Sequence, residues 1–279
     1  MPGLAYYNGQ ISTYNDIRIP LSDRSIFFGD AVYDVMIGRS GRVYQKDEHI
    51  ERLLHGARVL EINHGRTANA ITSIISELTK DYRQEEFSVY VQISRKSEKR
   101  EHIYAHNSGA NLLVFTDTTS IRDSLVPISL ISQNDLRYSY CNVKTVNLLP
   151  AVLASAKAHR MGADECVFLR EGVVTECSRS NILIIKDGVL CAPRESEHIL
   201  PGITMHNVFK ICRENGIPVQ RRDISYTDLI SADEILVTST TKLARRVYKI
   251  NGVPVGMKNA SLAHIISDQL LSNFTNSDC

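Results

Sequence analysis

The chain has 279 residues, of which 43% are hydrophobic and 23% are charged, so it can form one large or two ordinary globular domains. The net charge is only +1, and no basic run is interleaved with aromatic residues, which argues against nucleic acid or a membrane surface as a partner. No apolar run reaches transmembrane length, the N-terminus lacks a signal-peptide pattern, and six scattered cysteines show no metal-ligand spacing. We therefore expect a cytoplasmic protein without a bound metal.

The first part of the chain mixes strand and helix signals. Asn8-Gly9 supplies the positive φ angles of a tight hairpin turn, and residues 22–25 are predicted to form a loop. Asp47 is the predicted N-cap of a helix with one apolar face, and Thr67 is the predicted cap of a second helix. Residues 87–93 alternate between apolar and polar, as in a half-buried strand.

We place a domain boundary at the polar residues 119–124, which separate a small N-terminal domain, 1–118, from a larger domain, 125–279. In the larger domain, Pro150 opens a helix at a position where no hydrogen bond is lost, and Gly216 fits the stop of another helix. Helices and strands mix in both parts without a strict βαβ rhythm. This pattern predicts an α+β fold.

Lys144 is the most informative single residue. It lies between Val143 and Val146, in a run too apolar for a solvated strand face. An ammonium group in such surroundings is costly unless it is paired or put to use. A lysine kept neutral is a nucleophile that can form a Schiff base. The alternative is a structural lysine that pairs with a carboxylate or reaches water along its stem, which is the commoner case for a lone lysine.

Three blocks of sequence resemble fold-type IV pyridoxal-phosphate (PLP) enzymes. The residues from Lys144 to Pro150, Lys-Thr-Val-Asn-Leu-Leu-Pro, are similar to the lysine segment of that family. Residues 174–182, Val-Thr-Glu-Cys-Ser-Arg-Ser-Asn-Ile, resemble its glutamate segment, and residues 48–53, Glu-His-Ile-Glu-Arg-Leu, resemble its phosphate-arginine segment. The family includes D-amino-acid transaminases, branched-chain transaminases and aminodeoxychorismate lyases. It implies a small N-terminal α/β domain, a larger C-terminal pseudo-barrel domain, and PLP held between them.

The resemblance also implies which residues hold PLP. Lys144 would take the aldehyde and move the proton, and Glu176 would keep the pyridine nitrogen protonated, so that the ring withdraws electrons. Leu200 would pack on the ring, although it could equally be an ordinary core residue. Further cofactor contacts are assigned to Arg52, Ser180, Ile203, Thr204, Ser239 and Thr240. Arg52 offers a bidentate fork and the segment before Thr204 offers free N–H groups of a helix start, both of which suit phosphate.

The segment Arg100-Glu101-His102 is the most informative about substrate. Arg100 and His102 match an Arg-x-His pair of D-amino-acid transaminases, and Tyr33 matches a tyrosine of their small domain. In that family the pair and the tyrosine together bind the substrate α-carboxylate. In that family the pair reaches across from the other subunit, so the resemblance implies a homodimer with a shared active site. The alternative is a solvated charge run, because residues 95–101 are mostly charged.

Three residues depart from the family pattern. Asp34 stands where relatives often carry glutamate, which could reshape the side-chain pocket. Arg179 interrupts a run that is commonly small and hydroxylated, so it could compete for a substrate carboxylate or form a second anchor for acidic substrates. Cys177 replaces a common glycine, with no effect that the sequence reveals.

We interpret the sequence as a PLP-dependent transaminase that moves the amino group between D-amino acids, of the D-alanine and D-glutamate type, and 2-oxo acids such as 2-oxoglutarate. An L-branched-chain aminotransferase is the first alternative, and it should lack the Arg100/His102 pair. An aminodeoxychorismate lyase is the second, and it would release pyruvate without an amino acceptor. A PLP-binding protein without turnover is the third.

Overall fold

The computed structural model describes residues 3–82, 85–105, 108–121 and 126–276, which divide into two compact units. The described residues up to Ser120, together with Val143–Asn147, form the first unit. Ile121–Asn142 and the described residues from Leu148 onward form the second. Residues 122–124 of the predicted linker lie outside the described residues, so the predicted domain boundaries stay a prediction.

The first unit is built on a six-stranded antiparallel sheet, in the order β2-β1-β6-β5-β3-β4. Its strands are β1 (Leu4–Tyr7), β2 (Gln10–Thr13), β3 (Ala31–Arg39), β4 (Arg42–Val43), β5 (Glu86–Arg95) and β6 (Ala110–Thr118). Its helices are α1 (Arg24–Phe28), α2 (Lys46–Val59) and α3 (Ala68–Thr79). Apolar side chains of α2, α3 and the sheet form one buried core, so the sheet is a rigid base for the segments at its edges.

Local signals in the first unit were informative, with two exceptions. Asn8-Gly9 makes the β1–β2 turn with positive φ angles, and the Thr67 side chain accepts the Ala70 N–H at 3.2 Å as the cap of α3. The prediction that Asp47 caps α2 is wrong. The helix already starts at Lys46, and Asp47 lies in its first turn. There its carboxylate interacts favourably with the positive end of the helix dipole. The predicted loop 22–25 is wrong at its end, because Asp23 caps α1 there.

The second unit contains a nine-stranded mixed sheet, in the order β12-β11-β10-β13-β14-β7-β8-β9, with β15 also paired to β14. Its strands are β7 (Ile128–Asn134), β8 (Glu165–Arg170), β9 (Val173–Cys177), β10 (Asn181–Lys186), β11 (Val189–Ala192), β12 (Val219–Arg221), β13 (Glu234–Ser239), β14 (Leu243–Ile250) and β15 (Val253–Pro254). Its helices are α4 (Leu149–Arg160), α5 (Ile203–Glu214), α6 (Tyr226–Ser231) and α7 (Ala260–Thr275). The two units together confirm the α+β class.

The sequence explains the main elements of this second unit. All but the last residue of β10 are buried, as expected for a continuous apolar run in the middle of a sheet. Pro150 lies in the first turn of α4, as predicted. Gly216, with a φ of 68°, follows the end of α5 and confirms the predicted helix stop. In the described ranges, no helix has both the length and the apolarity needed to cross a bilayer.

Candidate active site

Lys144 lies in a short extended segment that runs beside β3 in the first unit. The Tyr33 N–H donates to the Lys144 carbonyl at 2.9 Å, and the Val146 N–H donates to the Ala31 carbonyl at 3.2 Å. The sequence prediction assigns this segment to the larger domain, but these hydrogen bonds explain why its contacts group it with the first unit. The backbone of the lysine is therefore fixed by the sheet.

The Lys144 side chain is half-buried and lies over the ring of Tyr33. Its Nζ is 4.6 Å from the ring centroid, where the aromatic face attracts a cation. The Tyr33 ring stacks on Tyr90 at a centroid distance of 5.3 Å, and Tyr90 stacks on Phe115 at 4.7 Å. Burial raises the pKa of Tyr90 well above its usual range, so the Tyr90 phenol stays uncharged. The stack fixes the plane of the ring that contacts the lysine.

Arg100 and His102 meet at a different ring of the first unit. The Arg100 guanidinium lies 5.6 Å from the centroid of Phe28 and 5.8 Å from that of Phe27. The His102 ring lies 5.3 Å from the Phe28 ring. The structure therefore brings the predicted Arg-x-His pair together against α1, whereas Tyr33 contacts Lys144 and Tyr90.

Arg52, the predicted phosphate arginine, is held by a buried carboxylate. Its Nε and Nη2 donate to the two oxygens of Asp34 at 2.8 Å and 2.9 Å, and Nδ1 of His49 lies 2.8 Å from the same carboxylate. Burial by itself raises the pKa of Asp34, but the charge of Arg52 and the hydrogen bonds outweigh burial and hold that pKa well below its usual range. Asp34 is fully buried, so its carboxylate orients Arg52 and does not itself face solvent.

Asp34→Ala should lower the free energy of unfolding by about 3–5 kcal/mol, because it removes the carboxylate that balances the largely buried charge of Arg52. Urea unfolding of the purified protein measures the loss. Asp47→Ala removes an exposed carboxylate in the first turn of α2 and is the matched control, with an expected loss of at most about 1 kcal/mol from the helix dipole. Equal losses for the two variants would contradict this account of the Asp34 site.

The same substitution should change the pH dependence of stability. The folded-state pKa of Asp34 is depressed, so its contribution is present above the unfolded-state pKa of about 3.9 and is lost as the pH falls below that value. The difference in stability between the native protein and Asp34→Ala should therefore shrink as the pH is lowered from about 5 towards about 2. A difference that does not depend on pH would point to lost packing as the cause.

Glu176, near the end of β9 in the second unit, is oriented by three donors. Arg137 bonds its Oε1, while the Leu200 N–H and the Asn181 side-chain amide donate to its Oε2 at 3.0 Å and 3.1 Å. Arg137 is itself held by Asp135, at 2.9 Å and 2.8 Å. Sequence reasoning missed Arg137 and Asp135, because they precede Glu176 by about forty residues and no local spacing links them.

The turn after Glu176 rests on a second buried carboxylate, Glu165. The Ser180 hydroxyl donates to Glu165 Oε1 at 2.7 Å, and the Arg179 N–H donates to the same oxygen at 2.9 Å. Burial raises the pKa of Glu165 despite these hydrogen bonds. The Arg179 side chain is largely exposed, with its Nε 3.9 Å from Glu165. Cys177 is fully buried, so the cysteine that replaces a common glycine packs in the core.

The start of α5 carries Leu200, Ile203 and Thr204. Asn181 donates to the Leu200 carbonyl at 2.9 Å. At the N-cap, a Cβ on Gly202 would lie 1.9 Å from the Asn181 side-chain oxygen, so only glycine allows this close approach. Gly202 offers no side chain to cap the helix, whose first N–H groups suit an anion. Ser239 and Thr240 lie at the β13–β14 turn of the same unit.

The comparison with protein families gives the class. Residues 31–250 match the family described as amino-transferase class IV. Because this match spans most of the chain, the protein belongs to the class IV aminotransferases, and the predicted family resemblance is confirmed.

Two relatives that match most of the chain are D-alanine aminotransferases. The chain is 32% identical over 253 residues to the D-alanine aminotransferase of Listeria innocua, with 89% of this chain and 88% of that protein covered. It is 29% identical over 252 residues to the D-alanine aminotransferase of Bacillus licheniformis, with 90% and 89% covered.

Solved structures confirm the fold. The branched-chain aminotransferase of Thermoproteus uzoniensis with norvaline has a TM-score of 0.90 at 19% identity, with 99% of this chain and 95% of that chain covered. The branched-chain aminotransferase of Escherichia coli has a TM-score of 0.85 at 18% identity, with 98% and 94% covered. Another branched-chain amino acid aminotransferase, solved with pyridoxamine 5'-phosphate, has a TM-score of 0.87 at 22% identity, with 100% and 96% covered. At these identities the likeness is evidence for the fold alone.

The family implies a PLP cofactor, and the groups present fit it. The first unit offers a lysine amine over an aromatic ring. The second unit offers a buried carboxylate held by N–H donors. It also offers a helix start at Gly202, where a residue with a Cβ would clash with Asn181. Amine, carboxylate and anion site are three of the groups that PLP requires from a protein.

Proposed function

We propose that this class IV aminotransferase is a PLP-dependent transaminase that moves the amino group between D-amino acids and 2-oxo acids. D-Alanine and D-glutamate are the proposed donors, and 2-oxoglutarate is a proposed acceptor. The observation that carries the proposal is the Arg100–His102 pair, whose side chains meet at the Phe28 ring. The D-alanine aminotransferases that match about nine-tenths of the chain support the same substrate class.

PLP, when bound, supplies an aldehyde for the amine and an electron-withdrawing ring for the charge that develops at Cα. Lys144 would hold PLP through its Nζ and, as the free amine after the substrate amine has replaced it, would hold and move the substrate proton. Glu176 is proposed to accept a hydrogen bond from the pyridine N–H. The donors on Glu176 support this role, because they fix the direction of its carboxylate.

The phosphate is proposed to bind to groups that share a positive or N–H-donating character. Arg52 contributes positive charge. Because Asp34 already orients its guanidinium, the side chain loses less conformational freedom when the phosphate binds. The start of α5 contributes backbone donors. Leu200 is proposed to pack on the ring, and the remaining proposed contacts are Ser180, Ile203, Thr204, Ser239 and Thr240.

Arg100, His102 and Tyr33 are proposed to bind the substrate α-carboxylate. A guanidinium binds a carboxylate with defined geometry, so it orients the substrate as well as holding it. Arg179 is the rival anchor, since its side chain is largely exposed.

The proposed assembly is a homodimer in which Arg100 and His102 serve the active site of the other subunit. The exposed face of α4 supports an oligomer, because Leu149, Val152 and Leu153 are 68%, 56% and 60% exposed on one helix. Light scattering of the purified protein measures its molecular mass in solution. The mass of a monomer would contradict the proposed homodimer.

Stereochemistry is the test of the proposed function. Mixed with the PLP form, D-alanine and D-glutamate should change the visible absorption of the cofactor faster than L-leucine does. If Arg100, His102 and Tyr33 hold the carboxylate, the Cα–H bond of an L-amino acid points away from the Lys144 Nζ, or its side chain enters the carboxylate site. Stopped-flow absorbance with each enantiomer gives the rates. Faster conversion by L-leucine would contradict the proposal.

A branched-chain aminotransferase is the second candidate function, which the resemblance of the cofactor segments leaves open. The two candidates share their cofactor residues, so the carboxylate anchor distinguishes them. Arg100→Ala should raise the KM for D-alanine far more than Arg179→Ala does. The reverse order would move the anchor to Arg179 and leave the transaminase chemistry intact.

A further inference from the structure

Arg24 is a buried cation that none of the roles above uses. It is 3% exposed, and its Nε donates to Asp30 at 2.9 Å. Its other two nitrogens face the segment that carries the Arg-x-His pair. Nη1 donates to the Glu101 carbonyl at 2.7 Å, and Nη2 lies 3.5 Å from the His102 carbonyl. One side chain thus connects α1 to the backbone of that segment.

The Asp30 carboxylate is fixed independently of Arg24. Its Oδ2 also accepts a hydrogen bond from the Arg95 Nε at 2.9 Å. The two remaining Arg95 nitrogens donate to the carbonyls of Leu60 and Glu61, at the end of α2, at 2.7 Å and 2.8 Å. Arg24 is therefore anchored to the sheet and α2, and it reaches from this rigid base to the segment.

The Phe28 ring gives the segment a second support. The Arg24 guanidinium lies 4.6 Å from the ring centroid, Arg100 lies 5.6 Å from it, and the His102 ring lies 5.3 Å away. The face of an aromatic ring attracts a nearby cation electrostatically. Phe28 and Arg24 belong to the same five-residue helix, so α1 supports both the backbone and the side chains of the pair.

The segment needs such a support because it has no regular structure of its own. Residues 96–105 form neither helix nor strand. Backbone hydrogen bonds hold its start, from the Lys96 N–H to the Gly109 carbonyl at 3.1 Å and from the Glu98 N–H to the Ser22 carbonyl at 3.2 Å. At residue 101 the N–H donates only within the segment, to the Lys99 carbonyl at 2.8 Å, and the Arg24 guanidinium connects the carbonyls of Glu101 and His102 to the rest of the unit.

We propose that Arg24 is a positioning residue for recognition of the substrate carboxylate. By fixing the backbone at Glu101 and His102, it holds the Arg100 and His102 side chains in the geometry that binds a carboxylate. The inference rests on the proposed function, which gives those two side chains that role. It holds whichever subunit they serve, because the contacts of Arg24 described above lie within its own chain.

Arg24→Lys is the variant that tests the role. Lysine can still pair with Asp30, but a single ammonium cannot also span two carbonyls as the planar guanidinium does. The KM for D-alanine should rise about tenfold, while kcat changes less than about threefold, because carboxylate binding acts on ground state and transition state alike. Arg246→Lys, at a largely buried pair with Glu234, is the control: it should lower the melting temperature and leave KM unchanged.

A double-mutant cycle with Arg100→Ala separates the two proposals. If Arg24 acts through this pair, Arg24→Lys should add little to the KM of the Arg100→Ala variant. Independent, multiplicative increases in KM would overturn the positioning role and leave the carboxylate assignment standing. No increase in KM for Arg100→Ala itself would overturn that assignment, and the positioning role would fall with it.

Limited trypsin digestion gives a readout that does not depend on activity. Lys96, Lys99 and Arg100 are cleavage sites within the segment, and Arg24→Lys should increase the rate of cleavage there several-fold. The Arg246→Lys control should leave that rate unchanged. If Arg24→Lys does not fold, Phe28→Leu tests the same support: it keeps an apolar side chain in α1 and should raise KM and cleavage together. Native rates and native KM in the folded variant would overturn the inference.

Discussion

Replacement of Lys144 by alanine is expected to reduce kcat by about 10⁴-fold or more. The variant loses both the amine that bonds the aldehyde and the base that moves the proton, and proton transfer alone contributes roughly 10²–10⁴-fold. Lys144→Arg separates the positive charge of the side chain from its nucleophilic amine. It keeps a cation near the Tyr33 ring but provides no nucleophile, so its kcat should be as low as that of Lys144→Ala.

Chemical labelling identifies the residue directly. Borohydride reduction of the PLP form, followed by peptide mapping, should attach the label to the peptide that contains Lys144. Lys157 is an exposed residue of α4 and Lys242 lies at the β13–β14 turn, so both serve as internal controls. A label on either of them, or near-native turnover in Lys144→Ala, would show that another lysine carries the cofactor.

Glu176→Gln should keep the fold but raise the catalytic barrier by about 3–4 kcal/mol, which corresponds to a fall in kcat of about 10²–10³-fold. Glutamine has nearly the same shape and can still accept the Leu200 N–H. It removes the negative charge that would keep the pyridine nitrogen protonated, and an unprotonated ring is a weaker electron acceptor. Steady-state kinetics with D-alanine and 2-oxoglutarate measure the loss.

Glu234→Gln is the matched control for that substitution. Glu234 is also a buried carboxylate held by an arginine, Arg246, at 2.7 Å. Its replacement should lower stability by an amount comparable to that for Glu176→Gln and leave kcat unchanged. A near-native kcat for Glu176→Gln would show that its carboxylate does not act on the ring nitrogen.

The sequence by itself determined the features that depend on neighbouring residues. The Asn8-Gly9 turn, the Thr67 cap and the Pro150 helix start each follow from the conformational preferences of one or two residues. The family followed from three short blocks, and its chemistry from the types of residue within them. Such signals act over a few positions along the chain, so they survive without knowledge of the fold. Such local signals failed at the N-cap of α2, where the cap residue is Gln45 and not the predicted Asp47.

Only the tertiary structure decided which charged side chains hold each other. Asp34 meets Arg52 because β3 packs against α2, and Arg137 meets Glu176 across about forty residues of chain. Arg24 reaches Glu101 across a still longer separation. Buried charges require partners, but the sequence does not state which of many carboxylates or carbonyls will be near. Sheet register and helix packing make that choice, and they also determine which residues orient the groups that the sequence had already singled out.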